Sequence, residues 1–188
     1  AGTGFLAGDT LTVTFGSGAA TATAIVWPFF AITPTTLAIF AGRVWLGGQR
    51  VLDWTGTKGF DDAGAANAAG SVAISDADLV HEITALRSLN NFLYIFGDAS
   101  INVVSDVRVA TGPVTLFSNT NVSALIGSNL PLAIFPYYRT IAFATKYGFY
   151  ALYGSTPQKI SDNLDGIVPL IDFTKPVSGG VANIFNIL

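Results

Sequence analysis

His81 and Glu82 are the chain's sole histidine and sole glutamate, and they are adjacent. Adjacent residues on a strand point to opposite faces, so the pair is not expected to act on one substrate atom. It reads as two polar groups flanking a buried strand. With one histidine and no cysteine, the usual zinc ligand sets cannot be assembled. Asp162-Asn163-Leu164-Asp165-Gly166 is rich in oxygen donors, as a calcium loop is, but Leu164 stands where a ligand should alternate. Asp61-Asp62 and the pair Asp76 and Asp78 read as solvated turn residues. Gly16-Ser17-Gly18 lacks the following lysine of a phosphate loop and reads as a turn. No nucleophile elbow and no dinucleotide fingerprint is written anywhere. A glycoside hydrolase needs two carboxylates facing each other across a cleft, whereas the acids here are nearly all aspartates in turns. Trp45, Trp54 and the Tyr137-Tyr138 pair carry rings that can stack on sugars. As single aromatics within strands they read first as core. The expectation is a protein with no catalytic residue, no cofactor-binding motif and no metal site, hence no cofactor and no enzyme activity.

Composition points the same way. Of 188 residues, 51% are apolar and 11% charged, against roughly 25% charged in an average soluble domain. Low charge that extends through the loops implies a surface covered by partners, because large exposed apolar patches mark interaction sites. The net charge is −3 and the nine basic residues are scattered, so no basic stripe is available to neutralise phosphates. Tight nucleic-acid binding is excluded on that basis, while a conduit through which DNA slides is not. The most apolar run, Ala24 to Ile32, contains Pro28 and is far short of the ~20 residues of a spanning helix. Membrane insertion is therefore not expected. The chain has no methionine, and Asn183 to Leu188 reads like a strand cut in mid-course. The expectation is a piece of a longer protein.

The elements that would carry these residues are strands. Thr10 to Phe15 and Ala20 to Trp27 alternate polar and apolar residues around a Gly-rich turn, which predicts a hairpin within an N-terminal unit over residues 1–36. From 37 to 188 one pattern is written three times, in modules near 40–55, 90–105 and 138–161. Each has a polar opening, an apolar strand, a Gly-containing turn and a second apolar strand. Aligning Gly42, Asn90 and Tyr138 gives a period of about 48 residues, the spacing of β-propeller blades. The fold class is all-β, with propeller-like blades of antiparallel strands forming a partial propeller, since three repeats do not close a ring of four to eight blades. Ile83 to Arg87 is expected to be an innermost strand and Gln158 to Ser161 an outer one. Val114 to Phe117 is expected to be a short strand ending before polar Ser118 to Asn121. Tyr147-Gly148 is expected to be a turn, and Ile167 to Phe173 the start of a further blade. Residues 55–70, dominated by Gly and Ala, read as a long exposed excursion.

Three stretches resemble the propeller region of tail nozzle proteins of short-tailed bacteriophages, the tail tubular B or tail-hub group. They are Phe40 to Leu46 with Trp54, Leu89 to Gly97 with Ser100-Ile101, and Ile126 to Ser128 with Ile141 to Leu152 and Lys159 to Ser161. The resemblance implies a structural virion protein of the phage tail. It further implies a ring of six copies around the DNA-ejection channel, with the adaptor or portal and the tail fibre proteins as neighbours and DNA only as cargo. Two other classes are compatible with the residues. One is a carbohydrate-binding propeller or adhesin using Trp45, Trp54 or Tyr138, and the other is a glycoside hydrolase.

Overall fold

The computed structural model describes residues 10–15, 20–25, 33–57, 59–75, 81–153 and 155–181. The expectations placed on Gly16 to Gly18, on residues 26–32, on Asp76 and Asp78 and on the final six residues lie outside them. Strands β1 (Thr10–Phe15) and β2 (Ala20–Ile25) pair antiparallel, Thr10 opposite Ile25 and Phe15 opposite Ala20. Twelve further strands make three four-stranded antiparallel sheets. Sheet 1 is β3 (Thr36–Phe40), β4 (Arg43–Gly48), β5 (Val51–Trp54) and β6 (Gly70–Ala73). Sheet 2 is β7 (Ile83–Leu89), β8 (Phe92–Gly97), β9 (Ile101–Ala110) and β10 (Val114–Ser123). Sheet 3 is β11 (Ile134–Tyr137), β12 (Thr140–Thr145), β13 (Gly148–Tyr153) and β14 (Thr156–Lys159). The fold is all-β. No α-helix and no closed propeller occurs among the described residues.

Every sheet is a simple meander, and the same local device opens each one. The first hairpin turns are Ala41-Gly42, Asn90-Asn91 and Tyr138-Arg139. In the first two, both turn residues have positive φ, the conformation whose twist matches that of paired strands and which Gly and Asn adopt at least cost. From Arg43 to Phe92 and from Phe92 to Thr140, the second strands start 49 and 48 residues apart.

The sheets stack through their first strands. Leu86 N donates to Thr36 Oγ1 at 3.0 Å, tying β7 to β3. Arg87 Nε donates to Ile134 O at 2.8 Å and its Nη2 to Pro131 O at 2.7 Å, tying β7 to the start of β11. The first two strands of sheet 2 are consequently covered on both faces, and β8 shows it. Leu93 and Ile95 pack into the core shared with sheet 1, while Tyr94 and Phe96 pack into the core shared with sheet 3. A strand between two apolar faces must be apolar throughout, and each of these side chains contributes roughly 1.5–3 kcal/mol on full burial. In the first core Trp45 and Trp54, cross-strand partners, lie 5.3 Å apart with Phe117 edge-on to both.

Several expectations are corrected. Ser118 to Asn121 does not end a short strand; it lies within the ten-residue β10, paired with Val103 to Ser105 and Asn102 of β9. The third module turns at Lys146-Tyr147, with Gly148 already in β13. Ile167 to Phe173 starts no strand. It holds a single 3-10 turn, Val168–Leu170, with Pro169 removing a ladder donor. Residues 55–70 are an exposed excursion only in part, with Thr57, Ala65 and Ala66 exposed. Thr55, Gly56, Asp62 and Ala68 are buried there, although Phe60 and Asp61 are exposed.

Candidate interaction surfaces

The segment 55–69 is anchored at Thr55, which bonds to β4, and at the carbonyl of Ala68. Ala68, in the left-handed region at φ 66°, turns its C=O towards three donors. Arg43 Nη1 lies at 2.7 Å, Trp54 Nε1 at 3.0 Å and Thr115 Oγ1 at 2.6 Å. Arg43 Nη1 also donates to Thr55 O at 3.0 Å. Burial lowers the pKa of this guanidinium, and the acceptors it faces at Ala68 and Thr55 are carbonyls rather than a carboxylate. Strands of sheets 1 and 2 are thus clasped to the same loop. Trp45 and Trp54 sit in this packed interior, so neither offers a ring to a sugar.

The outer face of sheet 1 is different. Along β3 the buried residues Ala38 and Phe40 face sheet 2. Leu37 and Ile39 point the other way and are 62% and 58% exposed. Their cross-strand partners on that face are Leu46 and Val44, both partly buried. Asp53 stands opposite Leu46 in the same row and is buried, and neither of its carboxylate oxygens has a hydrogen-bond partner. Leaving a buried carboxylate unpaired costs several kcal/mol unless a donor arrives.

At the end of the stack where second strands turn into third strands, two clefts adjoin. One, of about 680 Å³, is lined by Arg50, His81, Glu82, Asp98 and Asn129 among others. The other, of about 420 Å³, shares Asp98 and Asn129 and adds Lys146 and Tyr147. His81 Nδ1 lies 3.3 Å from Asp98 Oδ2. The expectation that His81 and Glu82 face opposite sides of a strand is overturned. Both precede β7, His81 has φ 66°, and both line one cleft. Glu82 and Asp98 are therefore a pair of carboxylates in one cleft, both exposed.

The remaining acidic positions resolve locally. Lys159 Nζ lies 2.5 Å from Asp165 Oδ1 and 3.6 Å from Asp162 Oδ1, so a cation occupies the loop read as a possible calcium site. Asp62 Oδ1 accepts from Gly64 N at 2.8 Å and shapes its own turn. Among the described residues no three His, Cys, Asp or Glu side chains converge as a metal set. No described helix is long and apolar enough to cross a membrane. Tyr138 is exposed on its turn, its ring 4.8 Å from that of Tyr137. Compared with known protein families and with curated proteins, the chain matches none.

Proposed function

We propose that this chain is a structural protein of a phage tail, of the nozzle or hub kind, working by assembly and without a chemical step. Its three sheets are read as blades of a propeller repeating at about 48 residues. Copies form a ring, six by the resemblance, around the channel through which DNA leaves the virion. Adaptor or portal and tail fibre proteins are the neighbours, and DNA passes as cargo along a weakly acidic protein.

The observation that carries this reading is the outer face of sheet 1, where Leu37 and Ile39 stand exposed beside Val44 and Leu46. The chain already contains two sheet-on-sheet interfaces built from the same strand position, so this face has the form of a third. A contact between two different faces of identical subunits is heterologous, and it generates a ring when the rotation closes. Exposed Leu125, Leu170 and Tyr147 add to an apolar surface poorly suited to a free monomer.

The test is the native mass of the particle containing this chain together with its rotational symmetry by electron microscopy. A six-fold ring attached to a tail is expected, and a stable free monomer would refute the reading. Leu37→Lys combined with Ile39→Lys separates assembly from folding. The burial of both side chains at a subunit contact implies a loss of association of on the order of 100-fold, with an unchanged unfolding midpoint. Undiminished ring formation by the double variant would remove sheet 1's outer face from the interface.

A further inference from the structure

A groove of about 420 Å³ lies where sheets 2 and 3 diverge, at the end carrying the first hairpin turns. It exists because the strands differ in length. β9 and β10 are ten residues each, whereas β13 has six and β14 four, so the face of sheet 2 extends beyond its cover. Its volume falls within the ~300–1,000 Å³ of small-molecule sites. We propose that this groove binds a neutral hexose oligosaccharide.

The floor is aromatic. Phe92 is 39% exposed, and its ring centroid lies 6.3 Å from that of Tyr94. Tyr94 is only 7% exposed, yet it lines the groove, and its hydroxyl has no hydrogen-bond partner among the described residues. The hydroxyl therefore opens on the groove, where it can donate to and accept from a ligand. The rim supplies the short polar groups that read sugar hydroxyls: Ser105, Thr120 and Asn90 line it, with the Arg139 guanidinium as a further donor. Asn90 is fixed in place, because its Nδ2 donates to Arg139 O at 2.8 Å and leaves Oδ1 to accept. The turn that carries Arg139 also holds Tyr138 at φ 52° with its ring 79% exposed. An apolar ring surface bordered by hydroxyl, amide and guanidinium groups complements a pyranose, which has an apolar C–H face and an equatorial belt of hydroxyls.

The groove is independent of the assembly reading, and the two can fail separately. The experiment uses the full chain with gluco-, manno- and galacto-oligosaccharides of several units, read by saturation-transfer difference NMR and then by calorimetry. At least one series is expected to bind. Tyr94→Phe keeps the ring in its core and removes only the hydroxyl, and is expected to weaken binding about threefold to tenfold. Phe92→Ala removes the platform and is expected to weaken it about tenfold. Circular dichroism and the unfolding midpoint of Tyr94→Phe should match the parent. If none of the three series binds, or if binding is unchanged in both variants, the proposal is overturned.

Discussion

Replacing Arg43 by Met tests whether the clasp on Ala68 O holds segment 55–69 to the sheets. Met keeps most of the apolar stem and removes the guanidinium. Two hydrogen bonds from a charged donor are lost, to Ala68 O at 2.7 Å and Thr55 O at 3.0 Å, each worth about 1.5–3 kcal/mol. The losses are unequal. Ala68 O retains Trp54 Nε1 and Thr115 Oγ1, whereas Thr55 is buried and its carbonyl loses the donor that satisfied it. Against this, the variant no longer desolvates a cation, a cost visible in the lowered pKa of Arg43 and one that a neutral side chain recovers in part. The net expectation is a destabilisation of about 2–3 kcal/mol, which for a chain of this length lowers Tm by roughly 5–10 °C. Urea unfolding followed by tryptophan fluorescence is the assay, since Trp45 and Trp54 are buried beside the clasp. Hydrogen exchange supplies the local readout. The amides of Gly56 and Thr57, which donate to Asp62 O and Asn67 O, should exchange faster in the variant even under strongly native conditions. A midpoint within about 0.5 kcal/mol of the parent, with unaltered exchange at both amides, would refute the reasoning.

Gly127→Ala is expected to cost about 3 kcal/mol or more by denaturant unfolding, because a Cβ there would lie 2.3 Å from Gly97 O and 2.4 Å from Ser100 N, backbone atoms with little room to move. A loss below ~1 kcal/mol would mean that the connector between sheets 2 and 3 shifts easily. The Lys159 ammonium has its pKa raised by its hydrogen bond to Asp165 and by the nearby charges of Asp165 and Asp162. A raised folded-state value means that the contribution is complete below the ordinary lysine range and is lost as pH rises through the raised value. An NMR titration of the Lys159 side chain should give a midpoint above that of a free lysine, and Asp165→Asn should bring it down. An unchanged midpoint in that variant would remove Asp165 as the cause.

What the sequence made legible follows from which atoms do the holding. The module openings at Gly42 and Asn90 were legible as polar breaks, but the glycines read as the turns that follow, Gly47-Gly48 and Gly97, lie inside β4 and β8. The apolar run Phe92 to Phe96 is readable because a strand packed on both faces has no position free for a polar side chain. β10 was harder to delimit. It is the outermost strand of sheet 2, and with much of its length exposed, polar Ser118 to Asn121 extends the ladder without cost. Segment 55–69 left almost no trace in the sequence, because one of the groups that anchor it is the carbonyl of an alanine. The donors Arg43, Trp54 and Thr115 stand 25, 14 and 47 residues from that acceptor. His81 and Glu82 are hard to place for a related reason: they lie just before β7 begins, where a left-handed residue turns the chain and the two-residue alternation of a strand does not hold.

The groove beneath Asn90 and Arg139 extends this point from fold to function. Tyr94 occupies a position that its strand requires to be large and apolar, and a Phe there would satisfy packing equally well. A Tyr is therefore chosen for its hydroxyl, and that hydroxyl has no partner among the described residues. The indole donors of the other core, Trp45 Nε1 and Trp54 Nε1, are bonded to Phe40 O and Ala68 O, whereas the Tyr94 phenol opens on a groove. The substitution Tyr94→Phe isolates it, because the fold should be indifferent to a group that only a ligand uses.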